Sequence, residues 1–151
     1  MKKIQIYFEN EKLLSLLNIQ MQIGITGLYF ISNKDIEIRY PFKSSRLIYI
    51  GMSEKKSNSI GNRLIRHLDG SSKNKGISNY LITNSLLYTY INFEMLKKVW
   101  PYSIESLENY FILNFVEHYG VYPICNNKSS LNFLKNEKEI LFNIDWSFFE
   151  K

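Results

Sequence analysis

The chain has 151 residues, a length that predicts one domain (1–151), and its 45% hydrophobic and 15% aromatic residues suffice for a packed core. Its 22% charged residues argue against a disordered chain, and no apolar stretch is long enough to span a bilayer, so we expect a cytoplasmic protein with no membrane partner. A single cysteine, Cys125, and the lack of a Cys/His cluster with zinc spacing exclude an internal disulfide and a structural zinc site.

The first third of the chain has the pattern of a small sheet. Strands are expected at 3–8, 26–32, 36–40 and 47–50, and a helix is expected at 9–18. Residues 33–35 have the composition of a hairpin turn. Because links of hairpin length favour antiparallel neighbours, we expect a small, largely antiparallel sheet.

The remainder of the chain adds helices to this sheet. Helices are expected at 59–68, 77–85 and 103–119, and a further strand at 87–93. Ser59 is a candidate N-cap, whereas Gly70 and Gly120 are signals that end helices. In the tail, roughly 131–151, we expect one helix and then a docking segment with Trp146, Phe148 and Phe149. This order of elements predicts an α+β (α/β) fold.

The net charge of +5 is concentrated in one segment, residues 43–75. Eight basic residues stand there against Glu54 and Asp69, so the rest of the chain is close to neutral. The basic residues are Lys43, Arg46, Lys55, Lys56, Arg63, Arg66, Lys73 and Lys75. Such a cluster suits a phosphate backbone, because neutralised phosphates release counterions. A solvated lysine-rich face is the alternative interpretation.

The helix at 103–119 carries a carboxylate on its apolar face. With about 100° between successive residues, Glu108 falls near the middle of an arc that includes Ile104, Phe111 and Phe115. An ionised carboxylate in that position is costly unless it is paired or holds a metal ion. Glu108 is therefore a metal ligand, half of a structural salt bridge, or a residue at a partly exposed edge of the helix.

The helix at 59–68 also brings polar residues toward the core. Arg63 and His67 are four residues apart, which places them one helical turn apart beside the apolar stripe. Both are expected to face the sheet, whereas Arg66 is expected to point away as a surface charge. The alternative for Arg63 is stacking on an aromatic ring at the edge of the core.

Two tyrosines, Tyr29 and Tyr49, lie at matching places in two of the predicted strands. With Arg63, His67 and Glu108 they form a set suited to phosphodiester chemistry. An arginine fork binds phosphate, and a single Glu can anchor Mg²⁺, which keeps several waters. A tyrosine could orient or deprotonate a water, but a free phenol has a pKa of about 10. A neighbouring Arg or metal ion would have to lower that pKa.

The two tyrosines lie in short glycine motifs, Gly27-Leu28-Tyr29 and Tyr49-Ile50-Gly51. With these motifs the chain resembles the GIY-YIG nucleases, where Leu28 replaces the usual Ile and the second motif matches fully. Arg63 and His67, in GNRLIRHL, match the helix that follows in this family, where an Arg precedes a His or Tyr by one turn.

The later part of the chain extends the same resemblance. Glu108, in LENYFI, matches the metal-binding Glu of the family, and Asn126, after YPIC, corresponds to its terminal Asn. Asn127 is an equally legible candidate for that Asn. Five motif positions therefore occur in the family's order, over a catalytic core at 26–127.

The resemblance implies both a fold and an activity. The fold is a small three-stranded antiparallel central sheet flanked by helices, with an N-terminal strand and helix addition (1–25) and a C-terminal extension packed on the core (128–151). The activity is that of a metal-dependent DNA endonuclease that hydrolyses phosphodiester bonds with Mg²⁺ (or Mn²⁺). DNA is the implied partner, and specificity is expected from the catalytic domain, a homo-oligomer or a partner protein.

The resemblance also implies roles for the main site residues. Tyr29 would act as general base or position the water, and Tyr49 would support the attacking water or the scissile phosphate. Arg63 would stabilise charge on the phosphate, and Glu108 would hold the single metal ion.

The remaining positions have supporting roles. His67 would assist proton transfer or orient a tyrosine, and Asn126 would brace the site. The residues expected to contact DNA are Lys43, Arg46, Lys55, Lys56, Arg66, Lys73 and Lys75.

One departure from the family pattern is the spacing of 20 residues between Tyr29 and Tyr49, which is wider than usual. We interpret the extra length, 33–46, as an enlarged hairpin between the two motifs. Its basic residues, among them Lys34 and Arg39, suggest a surface that faces DNA.

The alternative function is a non-catalytic nucleic-acid-binding or interaction module on the same fold. A degenerate module is expected to have lost Tyr29, Arg63 or Glu108, and none of them is lost. The pattern therefore favours an enzyme, with DNA repair, restriction or service to a mobile element or phage as the possible settings.

Overall fold

A computed structural model describes residues 2–127 and 140–151, which form a mixed α+β fold. The strands are β1 (Lys2–Ile6), β2 (Lys12–Leu13), β3 (Gly27–Asn33), β4 (Ile38–Arg39), β5 (Ser44–Ser45), β6 (Leu47–Ser53), β7 (Leu86–Asn92) and β8 (Ile140–Ile144). The helices are α1 (Leu16–Ile19), α2 (Ile60–Asp69), α3 (Lys75–Thr83), α4 (Phe93–Leu96) and α5 (Ile104–Tyr119), with 3₁₀ turns at Gln20–Gln22 and Trp146–Phe149.

The central sheet has four antiparallel strands in the order β2-β7-β3-β6. The sequence predicted three of them, and β2 is the addition. Residues 9–18 were expected to be helical, but only the single turn α1 is, after its N-cap Ser15. Lys12 and Leu13 instead pair with the outer edge of β7. Tertiary pairing of this kind overrides local helix propensity.

Alternate residues of β3 point to opposite faces of the sheet, so one strand supplies two cores. Leu28 and Phe30 pack in the core that contains α5 and the C-terminal aromatic residues. Tyr29 and Ile31 pack in the second core, which contains residues of α2 and α3. All seven residues of β3 are buried, as expected for a strand covered on both faces.

The two long helices form where the sequence predicts them because their end signals are local. Ser59 accepts a hydrogen bond from the backbone of Asn62, and Gly70 ends α2 with a left-handed φ of 86°. In α5, Ser103 is the N-cap, and Gly120 ends the helix at φ 94°.

The hairpin between β3 and β6 contains less strand than expected. Only Ile38–Arg39 of the predicted strand 36–40 pairs, and its partner is Ser44–Ser45 in a small sheet of its own. Pro41 cannot donate to a ladder. The buried Tyr40 hydroxyl donates to Leu47 O at 2.7 Å and accepts from Ile124 N at 3.0 Å, which fastens the hairpin to the core.

The two ends of the chain meet in a second sheet, where β1 and β8 run parallel. The helix expected at the start of the tail falls partly on 128–139, outside the described residues, and 140–144 form a strand instead. The aromatic segment docks as predicted, with Trp146 and Phe149 buried and Trp146 Nε1 donating to Asn114 Oδ1 at 2.8 Å.

Within residues 2–127 and 140–151, no helix has both the length and the apolar character needed to cross a bilayer.

Candidate active site

The tyrosines of the two glycine motifs lie side by side on adjacent strands. Tyr29 is in β3 and Tyr49 is in β6. The two strands pair along their length, with one irregularity between Ile31 and Ser32. The ring centroids of the two tyrosines are 6.0 Å apart. Tyr29 is buried and Tyr49 is half-buried, so a reactant could reach the second ring more easily.

Each motif glycine makes room for this arrangement. Gly51 is directly opposite Tyr29 across the ladder, and a Cβ atom at Gly51 would overlap the Tyr29 ring and lie 2.5 Å from its hydroxyl oxygen. Gly27 has φ 152°, and a Cβ there would overlap the carbonyl of Ile91 on β7. The glycines are therefore needed for the position of Tyr29 and for its strand's close approach to β7.

Helix α2 adds the next two predicted residues. His67 Nε2 is hydrogen-bonded to the Tyr29 hydroxyl at 2.9 Å, and the His67 ring lies edge-on to Tyr49 with centroids 5.1 Å apart. Arg63, one turn earlier, borders the same open cleft of about 190 Å³. The cleft is lined by Tyr29, Tyr49, Arg63, Arg66, His67 and Ser72. Four of the predicted catalytic residues therefore meet in one place.

Two residues of the lining differ from the sequence-based expectation. Arg66 was expected to point away from the site, but its long side chain reaches the cleft from the exposed side of α2. Ser72 was not singled out, because it lies in an irregular loop after α2 where helical periodicity gives no orientation. Its hydroxyl oxygen is 2.9 Å from Nδ1 of His67.

Arg63 has unused hydrogen-bonding capacity. Its Nε is buried and has no hydrogen-bond partner among the described residues. A buried donor without a partner is costly, and such groups are often held ready for a ligand. The cation faces the cleft, so the ligand that would satisfy it is an anion.

The ionisation states of the site follow from its burial. Burial, followed by the charges of Arg63 and Arg66, lowers the pKa of His67 to about 4. Burial also raises the pKa of Tyr29 well above its usual value, and Arg63 offsets only part of that rise. The pKa of Tyr49 is raised for the same main reason. At neutral pH the imidazole is therefore uncharged and both phenols keep their protons.

Glu108 is buried in α5, as its place on the helical wheel predicted. It is not among the residues that line the cleft, but its carboxylate adds to the raised pKa of both Tyr49 and Tyr29 after the effect of burial. The expected inward carboxylate is thus present and electrostatically connected to the two tyrosines.

Asn126 fastens the edge strand of the site. Its buried side chain accepts from Ile50 N at 3.0 Å and donates to Ile50 O at 2.9 Å, as a paired strand residue would. Ile50 lies between Tyr49 and Gly51, so this contact holds the second motif in place. Asn127 is exposed, and Asn126 is therefore the better match of the two candidates.

The basic residues expected to contact DNA fall into two groups. Lys55, Lys56, Arg66, Lys73 and Lys75 are exposed in and around α2. Lys43 instead pairs with Glu150 at 3.1 Å. The prediction for Arg46 needs correction, because its side chain is only 11% exposed. Its guanidinium pairs with Glu11 at 3.1 Å and donates to Asn33 O and Phe148 O. It links the chain's ends to the sheet, and its charge is already paired with Glu11.

The donor set around Glu108 fits a magnesium ion better than a zinc ion. Within the described part of the chain, no group of three or more His, Cys, Asp or Glu residues could hold a metal. Mg²⁺ needs only one or two carboxylates because it keeps most of its waters. Glu108 is a buried carboxylate and could serve as one such ligand.

Comparisons with protein-family models, with curated proteins and with solved structures found no significant match for this chain. The resemblance to the GIY-YIG nucleases therefore remains a prediction, and it rests on the residues described above.

Proposed function

We propose that this protein is a metal-dependent DNA endonuclease of the GIY-YIG type. The observation that carries the proposal is the cleft itself, where two protonated phenols, a neutral imidazole and an arginine with an unpaired buried Nε meet. The arrangement offers a cation for a phosphate and hydrogen-bonding groups for a water on one small surface.

Arg63 would bind the scissile phosphate. Its charge and its place on the cleft suit a phosphodiester oxygen, and Arg66 lies on the same cleft. A prepared donor of this kind is most useful where negative charge grows in the transition state. No rearrangement of an existing ion pair is needed first, since Arg63 has no ion pair among the described residues.

Tyr29 and His67 would remove the proton from the attacking water. Tyr29 is protonated before the reaction, so its phenol cannot be the base by itself. As the Tyr29 oxygen accepts a proton from the water, the phenol proton moves to Nε2 of the neutral His67. The resulting hydroxide attacks phosphorus and the bond to the leaving oxygen breaks. The positive charges of Arg63 and Arg66 contribute to the low pKa of His67. A bound phosphate offsets these charges, so substrate binding should raise the pKa of His67.

Glu108 would hold Mg²⁺ (or Mn²⁺). When bound, the ion supplies Lewis-acid stabilisation of the phosphate and of the leaving oxygen. Tyr49, with its half-exposed ring, would position the water at the open side of the cleft. Asn126 would keep Tyr49 in register through its two bonds to Ile50.

The exposed lysines beside the cleft would contact the DNA backbone. Lys55 and Lys56 precede α2, while Lys73 and Lys75 lie in the segment from Ser72 to the start of α3. These lysines therefore lie before and after α2, the helix that carries Arg63. Phosphate contacts of this type position DNA and make binding salt-dependent.

The test is cleavage of supercoiled plasmid, branched duplex and single-stranded DNA with Mg²⁺ or Mn²⁺. We expect the wild type to cut at least one of these substrates and a chelator to stop it. Glu108→Gln is expected to lower the rate at least about 100-fold, because the carboxylate that holds the ion is lost. Glu105→Gln is the matched control on the exposed side of the same helix and should cut normally.

If the wild type leaves all three substrates intact with either metal ion, the proposal is wrong. Salt-sensitive DNA binding that is equal in the wild type and in Glu108→Gln, without any cleavage, would then identify a binding module.

A further inference from the structure

The loop between α2 and α3 places a serine hydroxyl behind the imidazole of the site. Ser72 Oγ lies 2.9 Å from His67 Nδ1, while His67 Nε2 lies 2.9 Å from the Tyr29 hydroxyl. The three side chains therefore form a continuous hydrogen-bonded row, and a hydrogen bond between Tyr29 and Tyr49 extends it to the second phenol. Both ring nitrogens of His67 are engaged, and the question is which of them carries the proton.

A neutral imidazole has one N–H, so its two nitrogens must play opposite roles. Ser72 Oγ already accepts a hydrogen bond from the backbone N–H of Asn74 at 3.3 Å, and it has a second lone pair available. Ser72 is half-buried at the cleft, so its own hydrogen can point to solvent. Nothing therefore prevents Ser72 from accepting a hydrogen bond from Nδ1.

Tyr29 gives the complementary constraint. Its side chain is only 1% exposed, so the hydrogen of its hydroxyl needs an acceptor inside the protein. The Tyr29 hydroxyl is also hydrogen-bonded to that of Tyr49, which is half-buried at the cleft and can act as the donor in that contact. With Tyr49 as donor, the hydrogen of Tyr29 is directed to His67. Nε2 of His67 can accept that hydrogen only when it carries none itself. The arrangement with a protonated Nδ1 and a free Nε2 serves both neighbours, and it is the one in which His67 can take a proton from Tyr29.

The loop holds Ser72 firmly against the ring. Ser72 N donates to Arg66 O at 3.0 Å, and Lys73 adopts φ 63°, an uncommon conformation for a residue other than glycine. Asn74 Nδ2 donates to Cys125 O at 3.0 Å, and Cys125 N donates to Ile48 O in β6. The serine is thus anchored on one side to α2 and on the other to the segment that holds the second motif.

We propose that Ser72 is a positioning residue that fixes the Nδ1–H tautomer of His67 and keeps Nε2 free to accept the proton of Tyr29. The catalytic meaning of this inference rests on the proposed nuclease function, but the tautomer does not. In many catalytic histidines, a carboxylate or a backbone carbonyl accepts the hydrogen bond from one ring nitrogen and so fixes the tautomer. Ser72 would do the same for His67.

Nitrogen-15 NMR of the labelled full chain tests the tautomer directly. The chain has two histidines, so His118→Gln assigns the His67 signals without touching the site. At pH 7, well above the pKa of His67, we expect two-bond proton–nitrogen correlations to show a protonated Nδ1 and an unprotonated Nε2. Ser72→Ala should shift the ring toward the Nε2–H form, Ser72→Thr should keep the wild-type pattern, and Ser71→Ala is the neighbouring control.

Cleavage kinetics give the second readout. For Ser72→Ala we expect kcat to fall about 10- to 100-fold with the KM for DNA unchanged, and Ser72→Thr to restore kcat, as for loss of an orienting partner. A wild-type ring protonated on Nε2, or a tautomer unchanged in Ser72→Ala, would overturn the inference whether or not DNA is cut. The expected tautomers in a protein that cuts no DNA would support the inference and refute only the nuclease proposal.

Discussion

Strand β3 contributes side chains to both faces of the central sheet, and the two faces differ in character. On the α5 face, Phe30 is fully buried among aromatic rings of the chain's two ends. On the α2 face, the neighbouring Tyr29 is as deeply buried but bonded to His67, next to an Arg63 whose Nε has no partner. A half-buried polar cleft of this kind costs stability, and the dry aromatic face compensates for it. Changes on the two faces should therefore separate stability from chemistry.

The largest effect on stability is expected from Phe30→Ala. The ring contacts Phe8, Phe111 and Phe149, so its removal leaves a cavity and should lower the free energy of unfolding by about 3–5 kcal/mol. Urea titration measures this change. Phe42→Ala removes the same side chain from a position that is 70% exposed and should change stability by less than about 0.5 kcal/mol. Equal losses in the two variants would refute the assignment of the core.

The reverse outcome is expected on the other face. Arg63→Gln should lower the DNA cleavage rate about 100- to 1000-fold, because the donor for the charged phosphate is lost. Its free energy of unfolding should not fall, since Nε has no hydrogen bond to lose in the described structure. Lys98→Gln removes one positive charge at an exposed position outside the cleft and should leave cleavage unchanged. A loss of stability without a loss of rate would make Arg63 a structural residue.

A third prediction concerns pH and the α2 face alone. His67 has a pKa of about 4 in the folded protein against about 6.5 when exposed, so the unfolded chain binds the proton first. The contribution of His67 to stability is therefore complete above pH 6.5 and is lost as the pH falls to 4, by about 3 kcal/mol. Urea titrations across this range should show the loss in the wild type.

Two variants isolate that contribution. His67→Gln should lose this part of the pH dependence, and His118→Gln, at an exposed position, should retain it. If both variants follow the wild-type curve, His67 is not the buried neutral histidine described here.

What the sequence predicted well depends on local signals. Helices α2 and α5 were expected within two residues of their observed ends, because caps such as Ser59 and Gly120 act on their own turn. Strand β2 could not be predicted equally well, because it has only two residues and exists through pairing with β7, far along the chain. Likewise β8 forms by pairing with β1, at the opposite end of the chain.

The site shows the same division. Tyr29, Tyr49, Arg63 and His67 could be predicted to meet because strand alternation and helical spacing orient them. Arg66 and Ser72 could not, since a long flexible side chain and an irregular loop have no periodicity to indicate direction. Arg46 was expected at the surface because its neighbours in sequence are basic. Its true partner, Glu11, comes from the N-terminal segment, and no pattern around Arg46 indicates that contact.

The central claim is that the α2 face of the sheet is a catalytic site for phosphodiester hydrolysis, and Tyr29→Phe tests it by removing one oxygen atom. The measurement is the single-turnover cleavage rate of a DNA substrate with Mg²⁺, taken together with DNA affinity and the free energy of unfolding. We predict a rate at least about 100-fold lower, with affinity retained and stability lowered by no more than about 1–2 kcal/mol for the lost hydrogen bond. Cleavage by Tyr29→Phe at the wild-type rate would contradict the account.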